Sequence, residues 1–204
     1  MYNDCESSQN ASRSHLPRQV AGRRPGAFPA RGRAVFTSGY GQDVKRRVAE
    51  QAAYSLDCFL NGYGPDGCCE EGAEYYHHAG ITLWGALEVL DRVSGGHFAP
   101  LFQEEKLRNI AAYIVNVHVD GDYYLNYADC MPKAGLRGAG EYLFGRRTGA
   151  PGLCALAAAD VSRRETRDLP GSKSLFERLL DALCGQALAG PAAPLPPGEE
   201  VFYP

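Results

Sequence analysis

GYGPDGCCEEGAEYYHHAG (62–80), running straight into ITLWGALEVLDRV (81–93), is the stretch that decides the fold class. Pro65-Asp66-Gly67 is a turn signal, since proline presets its own φ and glycine accepts a left-handed backbone. Behind the turn, Tyr76, Gly80, Leu83, Leu87 and Leu90 recur at helical spacing. That period predicts an amphipathic helix from about Glu71 to Val93, broken by Ser94-Gly95-Gly96. Cysteine, glutamate, tyrosine and histidine crowd the junction between turn and helix. The first N–H groups of a helix have no intrahelical partner, so such a junction is a natural substrate-facing place.

Other helices flank this one. Val44, Val48, Ala52, Leu56, Phe59 and Leu60 share one face over 42–61, and Gly62, Gly64 and Pro65 end that run. Leu101, Leu107, Ile110, Ile114 and Val117 form the stripe of a helix over about 100–117, with Pro100 suited to its first turn. Residues 119–132, VDGDYYLNYADCMP, lack that period and predict a turn with a short extended piece. Helices resume at about 135–147, 151–163 and 172–186, separated by Gly/Pro breaks. Consecutive helices joined by short loops pack antiparallel. The fold class is therefore all-α, built of antiparallel helical hairpins; periodicity alone leaves a bundle and an α/α toroid both open.

The 204 residues suffice for one domain with a real core. Hydrophobic residues make up 45% and the net charge is −3, so the whole molecule offers no electrostatic case for nucleic acid or a membrane surface. Residues 1–34 hold six arginines against Asp4 and Glu6 and have no apolar period. They read as a disordered, solvated tail, with a polyanion-binding arm as the alternative. No apolar core of a signal peptide lies near Met1, and no apolar run is long enough to span a bilayer. The seven cysteines contain no C-x-x-C pair. Cys58, Cys154 and Cys184 read as small buried apolar groups on helices.

Two polar clusters carry the chemistry. With a helix starting at Glu71, the side chains of Glu71, Tyr75, His78 and Thr82 share one side. A tyrosine beside a carboxylate and an imidazole can pass a proton; the plain alternative is a half-buried ring with its hydroxyl at the surface. His77 and His78 are adjacent and diverge by about 100° on a helix, so both cannot easily serve one centre. Cys68, Cys69, His77 and His78 do not match the usual spacing of zinc ligands, so no metal is expected. Glu70 and Glu71 oppose a thiolate at Cys69. The second cluster is Tyr123, Tyr124, Asn126, Tyr127 and Asp129. Aromatic faces and amides are what a sugar cleft uses, while aromatics plugging a helical core are the alternative. Arg137, Arg146 and Arg147 are open to an acidic substrate or to plain solvation.

The run DGCCEEGAEYYHHAGITLWGALEVL (66–90) resembles the central segment of heparinase II/III-like polysaccharide lyases, in which a D-G-G-C-x-E-G-x-x-Y pattern precedes an apolar helix. GDYYLNYADCMPKAG (121–135) and EYLFGRRTG (141–149) are similar to the same family, and the resemblance covers about residues 40–188. It implies a partial α/α toroid over 38–188, a disordered basic tail over 1–37, and a Pro-rich tail over 189–204 where a β-sandwich would begin. It implies β-elimination on uronic-acid-containing polysaccharides, without a cofactor. Tyr75 matches the family's catalytic tyrosine as the acid, with the base role open to it too. Glu71 and Gly72 match the preceding E-G. Tyr75, His78 and Glu71 are the expected catalytic set, with Tyr124, Asn126, Asp129 and Tyr76 as substrate contacts.

This chain departs from the family at Cys68, where a second glycine is common, and at His77 and His78. The upstream neutralising segment is replaced by the Arg/Pro/Gly-rich tail, with only Asn3, Asn10 and His15, and no histidine follows His118. The expectation is a fragment with weak or no activity alone, self-associating through exposed helix faces. The resemblance points to the cell envelope or periplasm, while the lack of a signal peptide predicts the cytoplasm for the chain expressed as it stands. The competing class is a non-catalytic helical module that binds carbohydrate or protein through 62–78 and 119–132.

Overall fold

A computed structural model describes residues 39–135, 138–163, 175–188 and Tyr203. The expected tails over 1–37 and 189–204 lie outside those residues, apart from Tyr203. The described chain is all-α, with six α-helices and a single two-stranded sheet: α1 Gln42–Gly62, α2 Ala73–Val93, α3 Glu105–Asn116, α4 Ala139–Thr148, α5 Pro151–Arg163 and α6 Leu175–Leu188. A 3-10 turn, Ala99–Gln103, precedes α3, and the short strands β1 (His118–Asp120) and β2 (Tyr123–Tyr124) follow it. No described helix is long and apolar enough to cross a membrane. The described chain divides into two units, one on each side of the boundary between Gly62 and Tyr63. The first contains α1, an amphipathic helix with Ala52 buried. The second contains the other helices and all of the chemistry described below.

Local sequence sets the ends of the elements. Gly72, at φ +90°, occupies the N-cap of α2; such a backbone suits glycine, which has no Cβ to clash. The helix therefore begins at Ala73 rather than near Glu71. At its far end the Ser94 N–H donates to the Leu90 carbonyl (3.0 Å) and the Gly96 N–H to the Asp91 carbonyl (2.8 Å). Gly149, in the left-handed region, closes α4, and Pro151 opens α5, where its missing N–H costs nothing. The stretch read as one helix over 100–117 is a 3-10 turn followed by α3. Glu104 divides them with an extended backbone and an N–H bonded to the Leu101 carbonyl.

Tyr76, Leu83, Leu87 and Leu90 of α2, Phe102, Ile110, Tyr113 and Ile114 are fully buried, joined by Phe144, Leu153 and Leu156. Burying a side chain of this size contributes roughly 1.5–3 kcal/mol of transfer free energy. The Tyr76 and Tyr113 rings pack 5.9 Å apart, and Tyr113 packs edge-on against Tyr203 at 5.4 Å. A smaller cluster of Ala139, Ala157 and Leu188 joins α4, α5 and α6. α4 is the hub of this unit, touching α2, α3, α5 and α6. Close approach of α4 to α5 needs Gly145, where an added Cβ would stand 2.8 Å from Cys154 Sγ and 2.9 Å from the Ala150 carbonyl.

Ion pairs tie α2 to α4. Arg147 pairs with Asp91, and its Nε stands 3.0 Å from Glu88 Oε2 without the alignment of a hydrogen bond. Its guanidinium carbon lies 4.2 Å from the centroid of the Phe102 ring.

Candidate functional site

The Pro65-Asp66-Gly67 turn forms as read and docks on α3. Asp66 Oδ1 accepts the Cys68 N–H (3.1 Å), and the Gly67 N–H donates to the Gly64 carbonyl (3.2 Å). Asn109 Nδ2 donates to the Pro65 carbonyl and Lys106 Nζ to the Tyr63 carbonyl, each at 2.8 Å. Gly67, at φ +73°, lies so close to α3 that an added Cβ would stand 2.3 Å from the Ile110 nitrogen. The turn is thereby held in place and aims the start of α2.

The second polar segment folds back on that start. β1 and β2 pair antiparallel with an irregularity between His118 and Asp120, and the Tyr124 N–H donates to the Pro132 carbonyl (2.8 Å). Glu74 Oε2, in the first turn of α2, accepts the Met131 N–H at 3.3 Å. Gly72 abuts the same loop: a Cβ there would lie 2.5 Å from the Tyr127 carbonyl oxygen and 2.7 Å from Cys130 Cβ. Two stretches separated by some fifty residues of chain thus form one junction.

The expected site residues divide at this junction by burial. Tyr75 is 42% exposed, and Glu71, His78, Asn126 and Asp129 are also exposed. Tyr76 and Tyr124, expected as substrate contacts, are instead closed to solvent at 0% and 3%. Tyr76 sits on the core stripe of α2, with its hydroxyl 3.5 Å from the Ala111 carbonyl. Tyr124 points inward because successive strand residues alternate faces, and its ring packs edge-on against His118 at 5.1 Å. The exposed rings of this segment are Tyr123 and Tyr127. Glu71 precedes the helix, so it does not share the helical register of Tyr75 and His78 that the sequence suggested.

The structure pairs His77 with Glu141, residues that the sequence reading had not connected. His77 Nδ1 lies 2.6 Å from Glu141 Oε1. Glu141 is buried, and its other oxygen accepts the Gly138 N–H at 2.9 Å. With its proton on Nδ1, the imidazole donates to Oε1. Asp181 Oδ1 of α6 accepts the neighbouring Ala139 N–H (3.2 Å). The N-terminus of α4 is therefore capped by two carboxylates, the sign its dipole favours. The one cue in the sequence is a glutamate at the third helical position, where a side chain reaches back to the cap; it says nothing of His77.

Beneath the junction lies a set of thiols and phenols. Burial pushes the Tyr63 hydroxyl well above the ordinary phenol range, reinforced by the neighbouring Cys69. Burial likewise raises Tyr113. Cys69 is raised by burial, partly offset by its hydrogen bond from Tyr63, and Cys68 by burial and then by the Asp66 carboxylate. Such thiols stay protonated, which removes them as nucleophiles at neutral pH. All six described cysteines are free, and the most buried are Cys69 and Cys130. Cys58, Cys154 and Cys184, read as buried, are only partly so. No described group of His, Cys, Asp and Glu is arranged to hold a metal ion.

Lys133 is the described cation on the second segment. Its Nζ lies 3.4 Å from Asp122 and 4.8 Å from the centroid of the Tyr123 ring, and Asp122 followed by Tyr123 raises its pKa. Arg147 is taken up by the pairs with Glu88 and Asp91, Arg146 is exposed, and Arg137 lies outside the described residues. Compared with protein-family models and with curated proteins, the chain matches none.

Proposed function

We propose that this chain derives from a lyase that cleaves uronic-acid-containing polysaccharides by β-elimination, on the heparinase II/III-like plan and with its partial α/α toroid. The observation that carries the reading is the meeting of the two motif segments through Glu74, Gly72, Tyr127 and Met131. Tyr75, Asn126 and Asp129, which the resemblance assigns to one cleft, and His78, which helical spacing sets beside Tyr75, lie exposed on those two segments. In this scheme a base takes the proton alpha to the uronate carboxyl. The developing charge on that carboxyl is stabilised, and an acid protonates the leaving glycosidic oxygen. Tyr75 is the acid, with His78 beside it one helical turn on, and Glu71 at the mouth of the turn. Tyr123 and Tyr127 replace Tyr124 and Tyr76 as the rings for sugar stacking. The partner is an acidic polysaccharide and the setting the cell envelope or periplasm.

The test is absorbance-monitored formation of unsaturated uronate from a panel of uronic-acid polysaccharides, with Tyr75→Phe beside the natural chain. Product that disappears in the variant supports the reading. A folded chain that neither cleaves nor binds any such glycan overturns it, whereas absence of product alone is the weak or absent activity expected of an incomplete catalytic set. Retained binding in that case favours a second reading, a non-catalytic carbohydrate-binding module, for which the exposure of Tyr123 and Tyr127 speaks.

A further inference from the structure

We propose that Glu141 and His77 are positioning residues that hold the His78 ring in place on the Tyr75 side of α2. The inference rests on the lyase reading for its chemistry and on the structure for its geometry. His78 is exposed on a helix surface, where a side chain ordinarily moves among rotamers. Here its ring meets that of His77 edge-on, with centroids 5.7 Å apart and planes at 70°. Edge-to-face contact of this kind is attractive and directional, so each ring restrains the other.

His77 can serve as a fixed wall because it is itself fixed. Its Nδ1 is bound to Glu141 at 2.6 Å. Glu141 is held in turn by the Gly138 N–H at the cap of α4. His77 also stands one turn beyond Glu74, which holds the 119–132 segment through the Met131 N–H. A buried carboxylate that fixes one imidazole, and through it a second at the surface, forms a continuous line from the hub helix to the exposed face. A carboxylate orienting an imidazole is a general way of holding a proton-transfer group in one orientation and one tautomer. On this line Glu141 acts on His77, and His77 on His78. Neither Glu141 nor His77 need touch substrate.

A purely structural weld of α2 to α4 would use the same Glu141–His77 bond, so the test must separate the two. His77→Asn keeps an amide donor for Glu141 and removes the ring that restrains His78. The experiment uses the full chain, labelled at histidine, and reads the side-chain couplings of His78 by NMR alongside kcat and KM on whichever uronate polymer is cleaved. The expected result is a melting temperature close to that of the natural chain and a His78 side chain averaged among rotamers. On the cleaved polymer, kcat falls on the order of 10-fold or more with KM little changed, less than the roughly 100-fold or more that outright loss of a proton-transfer group costs. Unchanged His78 couplings in His77→Asn would overturn the positioning role whatever the activity, and so would an unchanged kcat in an active chain. A natural chain without activity, in which the variant still frees His78, would leave the positioning role standing and count only against catalysis by this chain on its own.

Discussion

Replacing Gly72 by alanine tests the joint on which the site depends. Gly72 stands at φ +90°, ψ −177°, a region that is essentially reserved for glycine and costs another residue on the order of 1–3 kcal/mol. The added methyl would also stand 2.5 Å from the Tyr127 carbonyl oxygen and 2.7 Å from Cys130 Cβ. Neither neighbour is the far end of a flexible chain, so the loop must shift, and overpacking of this kind costs a further ~1–3 kcal/mol. Together the expected loss is about 2–6 kcal/mol. At roughly 3 °C per kcal/mol for a domain of this size, the melting temperature should fall by about 6–18 °C. The control is Gly96→Ala, which has nearly the same φ, +93°, and nothing within 4 Å of the added methyl. Circular dichroism melts of both variants separate backbone strain from collision. If Gly72→Ala melts no lower than Gly96→Ala, the two segments do not meet as described.

Three further outcomes are expected. Arg147→Leu strands Asp91, which is only 7% exposed, together with Glu88; because Arg147 is partly solvated, the loss should be about 2–3 kcal/mol in urea unfolding, and a loss below about 0.5 kcal/mol would show that the pairs contribute nothing net. The Cys68, Cys69, Tyr63 and Tyr113 values are all raised in the folded chain, so the native state holds protons that the unfolded chain gives up first. Their contribution is complete below the ordinary thiol value of 9.0 and is lost as the pH climbs above it; a denaturant midpoint that stays flat or rises between pH 9 and 11 would contradict this. Tyr127→Ser removes an exposed ring without touching the backbone bonds of its loop, and should weaken binding of an acidic oligosaccharide about 5–10-fold by calorimetry while leaving the melting temperature unchanged.

The helices were legible because their apolar stripes are long and their breaks are glycine and proline. Val44 to Leu60 and Tyr76 to Leu90 show the helical period within single segments, and Pro151 marks a helix start. The first turn of α2 was misplaced because the backbone of Gly72, not side-chain period, decides where that helix begins. The site was only partly legible, for a related reason. Residue type alone does not separate a stacking tyrosine from a core one: Tyr75 and Tyr76 differ by one position, and one is exposed while the other is in the core. Tyr76 lies on the apolar stripe of α2, and that helical period places it in the core. The bond between His77 and Glu141 spans 64 positions, and only the packing of α4 against α2 creates it.

α4 has ten residues, too few to persist as an isolated helix in water. Its two N-terminal caps come from different places, one from its own third residue and one from Asp181, and four other helices press on it. The segment therefore becomes ordered only as its surroundings do, which couples Glu141 to the folding of the whole second unit. Amide protons of α4 should exchange at the rate of global opening rather than by local fraying. The imidazole that Glu141 restrains would then be in place or out of place together with the entire core, with no half-assembled form of the junction in between.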